Sequence, residues 1–306
     1  MTKLTILFIP INAVGPVNAC TGVAETLQAR GHRIIFAFDQ SFKGKLIKRG
    51  FQENIIEKEM TEEERNNPSG NMITLCKEMG LFDDESAYDK LKRTFEFPLA
   101  PSRKENEMVK EIIERTKPDV IATDLMFSSA IIKSGIPWVN LFSCQILMGI
   151  DDERTPPWGL GLPSYDNSQW KKYRELLKDG IAKFKKQCCQ RLEEDGVKPF
   201  PEDRFIESPY LNIYMYPKEL DYTDLRPAPP NWYQFDTFIR MNEEHFDLPQ
   251  KLAQRNGKLI FLSMGSLGSA NVDLMKRLIN LISDLPYRFI VTKGDDIQII
   301  FKSVFK

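Results

Sequence analysis

Imidazole is the side chain best suited to proton transfer near neutral pH, and this 306-residue sequence contains two of them, His32 and His245. His32 belongs to an Arg-Gly-His stretch that is typical of the end of a helix, so we interpret it as a residue entering a strand. His245 lies in a proline-rich connector, where an ordinary surface role is expected. Asp124 follows the apolar run DVIAT and is the carboxylate placed at the end of a predicted strand.

Signatures of nucleophilic or metal chemistry are missing from the sequence. The five cysteines are odd in number and form no C-x-x-C pair, and no N-x-[ST] acceptor site occurs, so we interpret the thiols as reduced. P-loop, metal-ligand and Ser-His-Asp patterns are also absent. We therefore expect neither a bound metal nor a tightly bound cofactor.

Two glycine-containing loops follow predicted strands. In NAVGP, Gly15 allows a sharp turn and Pro16 fits the first position of a helix, but no G-x-G-x-x-G follows, which disfavours a dehydrogenase. In SMGSLGS, Gly265 and Ser266 precede a predicted helix, whose backbone N–H groups can hold phosphates. The alternative for this second loop is a simple strand-to-helix turn.

Strand and helix patterns alternate along most of the chain. Strands with continuous apolar runs indicate a parallel sheet covered on both faces. We predict a helix over 40–49 and a charged, partly helical insertion over 57–100. The predicted strands of the first part are 4–9, 32–38, 51–56, 119–123, 137–143 and 210–217, and its principal helices are 17–30, 102–116 and 168–192.

A second set of elements follows a cluster of prolines. Residues 225–235 read as a stiff connector, after which 258–265 and 287–292 are predicted strands and 270–283 is a predicted helix. The chain therefore divides into residues 1–224, a linker over 225–249, and a second part over 250–306.

Composition excludes several classes of partner. The net charge of −1 does not favour a nucleic-acid binder, and no segment is apolar enough for a transmembrane helix. The helix 168–192 has a strongly basic outer face, which we interpret as solvated, with attachment to a membrane surface as the alternative. A cytoplasmic location is the expectation.

Several stretches together resemble the family-one UDP-glycosyltransferases, in particular arthropod members close to the UDP-glucuronosyltransferases. The similarity covers nearly the whole chain and rests on ILFIPINAVGPVNACTGVAETLQARGHRIIFAF, PDVIATD, PPWGLGLP, APPNW and KLIFLSMGSLGS. This resemblance implies the two-domain glycosyltransferase B fold, an α/β architecture with Rossmann-like parallel sheets. It also implies inverting transfer of a hexose or glucuronosyl group from a UDP-sugar to a small lipophilic acceptor.

The resemblance also assigns catalytic positions. In the family, a histidine at the start of the first helix deprotonates the acceptor and a carboxylate orients that histidine. The carboxylate corresponds to Asp124, but the position of the histidine is Pro16. One consequence is a shift of activity toward amines or thiolates, which need little help from a base. The other is a non-catalytic protein that binds or sequesters small lipophiles, with Asp124 capping nearby backbone donors.

On the donor side, the resemblance assigns Gly265 and Ser266 to UDP-sugar binding. The family's tryptophan-proline-glutamine and histidine-glycine-glycine signature should follow TKGDD, whereas this sequence continues with IQIIFKSVFK. We therefore expect a second domain that is truncated, and weak UDP-sugar affinity unless a partner completes the site. For the acceptor, Phe142 and Trp158 are candidate pocket residues, and core packing explains Phe142 equally well.

Overall fold

A computed structural model describes residues 2–97, 100–125, 128–200, 207–241 and 245–292. Within them, seven parallel strands form one sheet in the order β3-β2-β1-β4-β5-β6-β7, and two more pair as a separate parallel sheet. The strands are β1 (Thr5–Ile9), β2 (Arg33–Phe38), β3 (Gln52–Ile55), β4 (Val120–Thr123), β5 (Trp138–Phe142), β6 (Leu211–Met215), β7 (Trp232–Phe235), β8 (Leu259–Leu262) and β9 (Arg288–Val291).

Helices connect these strands and cover the main sheet. The prediction of a doubly wound α/β chain is confirmed, because helical connections join parallel strands on both faces. The helices are α1 (Val14–Ala29), α2 (Glu62–Asn66), α3 (Gly70–Glu78), α4 (Ala87–Thr94), α5 (Arg103–Thr116), α6 (Ser129–Lys133), α7 (Ile146–Gly149), α8 (Trp170–Glu194), α9 (Gln250–Ala253), α10 (Gly265–Gly268) and α11 (Val272–Ser283).

Strand β1 shows why the apolar runs are continuous. Ile6 and Phe8 point to the face that carries α1, whereas Leu7 and Ile9 pack with α5 and α6 on the other face. On the face that carries α1, the rings of Phe8 and Phe36 stack with their centroids 5.0 Å apart, which joins β1 to β2. A strand buried on both faces has no polar side to present to water.

The start of α1 differs from the prediction. We placed Pro16 at the first helical position, but the helix begins at Val14, so Pro16 is its third residue. A proline remains acceptable there because the first four N–H groups of a helix have no partner within the helix. Ala13 gives no side-chain cap, and the hydroxyl of Ser69 accepts the N–H of Val14 instead, at 3.2 Å.

The predicted helix over 40–49 is wrong. The segment forms two single 3-10 turns, Gln40–Phe42 and Ile47–Arg49. Gly44, within the segment, adopts a φ of +79°, in the left-handed region, so a continuous helix cannot pass through it. Asp39 caps the first turn by accepting the N–H of Ser41.

The proline-rich connector is also more structured than its composition suggested. Its residues Trp232–Phe235 form β7, which pairs in parallel with β6 and extends the main sheet. Beyond it, residues 238–241, here called the strap, cross α1. The carbonyl oxygen of Phe238 lies over Gly22, and the guanidinium of Arg240 donates to the side-chain oxygen of Asn18 at 2.7 Å.

The second unit contributes strands β8 and β9 and helices α9, α10 and α11 among the described residues. Phe261 of β8 is 64% exposed, so this small sheet presents apolar surface to water. Helix α10 packs against α1 and α3 of the first unit. The TKGDD segment from Lys293 onward and the chain after it to residue 306, where we expected truncation to show, lie outside the described residues.

Among the helices of the described ranges, none combines the length and apolar character that crossing a membrane requires.

Candidate functional site

The candidate site lies where the strand order reverses. Strand β1 has β2 as its neighbour in one direction and β4 in the other. The helix that follows β1 and the helix that follows β4 therefore cover opposite faces of the sheet. Open α/β sheets bind ligands in the crevice outside the carboxyl ends of such strands. The loop before α1 and residue Asp124 both occupy this edge, because they directly follow β1 and β4.

Asp124 is completely buried at this edge. Its backbone N–H points to the carbonyl of Ile9 at the end of β1, with 3.4 Å between nitrogen and oxygen. Its carboxylate oxygen Oδ2 accepts a short hydrogen bond from the hydroxyl of Ser143, the residue that follows β5. The second oxygen, Oδ1, is buried and has no hydrogen-bond partner among the described residues.

The burial of Asp124 changes its acidity. Loss of solvent raises the pKa of this carboxyl from 3.8 to about 7, although hydrogen bonds from the hydroxyl and backbone N–H of Ser143 oppose the rise. Asp124 therefore exchanges a proton near neutral pH, which an exposed carboxyl does not do. This behaviour matches what acid–base catalysis requires.

Pro16 and Asp124 are related through Cys20. Cys20 follows Pro16 by four residues, so both side chains lie on the same side of α1. Burial and then the charge of Asp124 raise the pKa of the Cys20 thiol, so the carboxylate and this residue of α1 interact electrostatically. Pro16 is half-buried and has no group that can accept a proton.

A second thiol also faces the carboxylate. Cys144 follows Ser143, and burial together with the charge of Asp124 raises its pKa to about 12. Both thiols are therefore protonated and neutral at physiological pH. A neutral thiol does not balance the negative charge of an ionised Asp124.

The predicted donor residues lie in the second unit, at the start of α10. Gly265 is its first residue, with a φ of +66°, and Ser266 follows. The hydroxyl of Ser69 donates to the hydroxyl of Ser266 at 3.0 Å while it also accepts the N–H of Val14. Ser69 thus joins the predicted donor residues to the first turn of the helix that carries Pro16.

The acceptor candidate Phe142 is a core residue. Its side chain is completely buried among Leu125, Ile146 and Tyr214, and its ring meets Trp232 edge-on at 6.0 Å. A side chain without exposed surface cannot line an open pocket, so the structure favours the packing role that we held as the alternative. Apolar side chains of the same cluster that stay partly exposed are Ile11, Cys144, Met148, Tyr216 and Tyr222.

The other acceptor candidate, Trp158, belongs to a different cluster. Its ring lies 6.4 Å from that of Phe95 and packs near Leu91 and Leu177, between α4 and α8. The structure therefore does not bring Trp158 and Phe142 together in one cluster. A role for Trp158 in acceptor binding stays a prediction.

Both histidines have the structural positions expected of them. The ring nitrogen Nδ1 of His32 accepts the backbone N–H of Leu4 at 3.1 Å, at the amino ends of β1 and β2 and opposite the Asp124 edge. His245 is exposed and pairs with Asp247 at 3.1 Å. The partners of the two imidazoles are thus Leu4 and Asp247, and neither is a residue of the Asp124 edge.

The structure adds Ser143 and Ser69 to the site, which sequence patterns alone did not identify. Ser143 directly follows β5, so the rule that selected Asp124 could also have selected it. Ser69 lies in the NNPSG loop, and its partners Val14 and Ser266 are 55 and 197 residues away in sequence. No local signal predicts such contacts.

A separate cavity of about 610 Å³ opens between α5 and α6. Charged side chains such as Glu107, Lys110 and Lys133 line it. None of the residues selected from the sequence lies there, so it is distinct from the edge that holds Asp124.

No protein-family model and no curated protein matches the sequence. Solved structures do match its fold. The glycotransferase of kitacinnamycin has a TM-score of 0.60 at 15% identity over 97% of this chain and 68% of that chain. The glycosyltransferase VinC in complex with dTDP has a TM-score of 0.56 at 12% identity, over 99% of this chain and 69% of that one.

A third similar structure is a glycosyltransferase from Streptomyces sp., complexed with thymidine diphosphate. It has a TM-score of 0.53 at 16% identity and covers 96% of this chain and 69% of its own. Identities this low establish the fold alone. The chain has the glycosyltransferase B fold and spans 68% and 69% of the length of the first two of these solved structures.

Proposed function

We propose that this protein transfers a hexose or glucuronosyl group, with inversion, from a UDP-sugar to a small lipophilic acceptor. The observation that carries the proposal is Asp124, a buried carboxylate with one unpartnered oxygen and a pKa of about 7 at the switch point of the sheet. The glycosyltransferase B fold supports it, because proteins with this fold that match here are named as glycosyltransferases.

The surroundings of Asp124 support a lipophilic acceptor. Ile11 follows β1, Cys144 and Met148 follow β5, and Tyr216 follows β6, and all four are partly exposed apolar or aromatic residues. They share the edge of the sheet at which Asp124 ends β4. An apolar wall with a few polar groups is the usual setting for binding a small hydroxyl-bearing molecule.

The donor side rests on the loop at Gly265 and Ser266. This loop contacts the first unit beside α1, through Ser69, so a sugar held there would lie next to the acceptor edge. Two similar structures are complexes with thymidine diphosphate. A test of donor binding should therefore include a TDP-sugar beside the UDP-sugars.

A second candidate function is a non-catalytic protein that binds small lipophiles. Asp124 is wholly buried and accepts both the hydroxyl and the backbone N–H of Ser143, which is what a structural capping carboxylate does. Pro16 removes the usual base from α1. Under this alternative the acceptor edge binds its ligand without turnover.

Calorimetry and mass spectrometry separate the two functions. The protein is titrated with UDP-glucose, UDP-glucuronic acid and TDP-glucose, and then incubated with each donor and a phenol or an arylamine. The proposed transferase gives heat with at least one donor and a product heavier by one sugar. Asp124→Asn is the matched control and should lose the phenol product. Acceptor binding without donor heat or product would establish the second function instead.

A further inference from the structure

Ser143 contacts the buried carboxylate of Asp124 and is itself partly exposed. Asp124 has no exposed surface, whereas Ser143 is partly exposed and its hydroxyl is hydrogen-bonded to Oδ2 of Asp124. An acceptor molecule at the edge can therefore reach Ser143 but has no direct access to Asp124 in this conformation. The hydroxyl that donates to the carboxylate therefore belongs to a residue with surface at this end of β5.

The groups around Asp124 leave it able to take up a proton. Burial and then the charge of Asp124 raise the pKa of Cys20 in α1 and of Cys144 after β5, so both thiols are neutral at physiological pH. Among the described residues, only the hydrogen bonds from Ser143 lower the pKa of Asp124, and no cation adds to that effect. A negative charge on Asp124 is thus poorly stabilised, and protonation relieves it.

We propose that Ser143 is a catalytic residue that relays the proton of the acceptor hydroxyl to Asp124, in place of the histidine that Pro16 replaces. This relay rests on the proposed glycosyl transfer. A serine hydroxyl suits the role because it has one donor and two acceptor positions, so it can accept one proton while it gives up another.

The step balances as follows. The acceptor O–H bond breaks as its oxygen forms a bond to the anomeric carbon of the sugar. That proton passes to the oxygen of Ser143, whose own proton moves to Oδ2 of Asp124. The bond from the anomeric carbon to the phosphate oxygen breaks, and its electron pair leaves with the nucleoside diphosphate. After the product leaves, Asp124 returns the proton to the oxygen of Ser143, whose own proton passes to solvent.

The relay makes a prediction that a structural role for Ser143 does not make. Conjugation of a phenol needs a proton acceptor in the transition state, whereas an arylamine attacks through its lone pair and needs the relay far less. Ser143→Ala should therefore lower the kcat for the phenol by about 10²-fold and spare most of the arylamine rate. Ser143→Thr keeps a hydroxyl and should retain most of both rates.

The experiment compares wild type, Ser143→Ala, Ser143→Cys and Ser143→Thr in the full chain, with phenol and arylamine acceptors from pH 5 to 9. Wild-type phenol conjugation should rise with pH through about 7, as Asp124 ionises, and then level off. Selective loss of the phenol rate in the Ala and Cys variants supports the relay. An unchanged phenol rate in Ser143→Ala, or equal loss of both rates in the Ala and Cys variants, overturns the relay alone. Wild-type protein that makes no product overturns the proposed function, and the relay with it.

Discussion

The hydroxyl oxygens of Ser69 and Ser266 lie 3.0 Å apart. The two residues are 197 positions apart in sequence, and their hydrogen bond joins the two units of the fold. Ser69 is nearly fully buried, and its hydroxyl also accepts the N–H of Val14, the first residue of α1. A single side chain therefore connects the proposed donor loop to the helix that borders the proposed acceptor edge.

Removing this hydroxyl should destabilise the protein more than removing its partner. Ser69→Ala loses both hydrogen bonds and leaves the start of α1 uncapped, so we expect a decrease of about 1–3 kcal/mol in the free energy of unfolding. Ser266→Ala loses one hydrogen bond and should cost about 1 kcal/mol or less. Urea denaturation of the two variants measures the difference. Equal losses would mean that the cap on Val14 contributes nothing.

Restoring an imidazole at the start of α1 tests the assignment of Pro16. Pro16→His places a base one helical turn before Cys20, the residue whose pKa the charge of Asp124 raises, and phenol conjugation should rise by about 10²-fold, the usual scale for a general base. Pro16→Ala is the control, since it makes the same backbone change without adding a base. Mass spectrometry of the products gives both rates. Equal rates in the two variants would show that the base position lies elsewhere.

The raised pKa of Asp124 predicts how stability depends on pH. The folded protein holds this proton up to about pH 7, whereas the unfolded chain releases it near 3.8, so stability falls as the pH rises between these values. The loss is on the order of 4 kcal/mol over the interval. The side chain of Asp124→Asn cannot ionise, so this variant should lack the loss of stability that Asp124 causes as the pH rises.

Denaturation of wild type and Asp124→Asn at pH 4 and at pH 7.5 measures the effect. The stability of wild type relative to the variant should decrease between the two pH values. Asp39, whose pKa burial also raises, is present in both proteins, so its contribution cancels in the comparison. Parallel pH profiles of the two proteins would contradict a raised pKa at Asp124.

Two glycines of α1 form a matched pair for testing the strap. A Cβ at Gly22 would lie 2.3 Å from the carbonyl oxygen of Phe238, so Gly22→Ala must displace the strap and should cost about 1–3 kcal/mol. A Cβ at Gly15 would meet nothing within 4 Å, and Gly15→Ala should stabilise the helix by about 0.5 kcal/mol. Urea denaturation gives both values. A harmless Gly22→Ala would show that the strap is not held against α1.

Local patterns predicted the strands of the main sheet because each strand is buried on both faces and reads as a continuous apolar run. They also placed Asp124 correctly at the end of β4, since the end of an apolar run is visible in the sequence. The error at 40–49 arose from periodicity that ignored Gly44, whose left-handed φ interrupts the segment. Likewise, composition alone suggested a connector where β7 pairs with β6.

The contacts that complete the site could not be predicted in this way. Ser69 meets Val14 and Ser266 across the fold, and the burial of Phe142 depends on Trp232, a residue 90 positions later in the chain. Such relationships depend on how elements distant in sequence pack. They become visible only when the three-dimensional arrangement is known.

The strap gives α1 contacts on two sides. Asn18, Gly22 and Glu25 contact the strap, while Cys20 interacts electrostatically with Asp124. The segment that leads into the second unit is thus attached to the same helix that borders the carboxylate. If a donor bound in the second unit shifts this helix, linkage requires that donor and acceptor change each other's dissociation constants by one common factor.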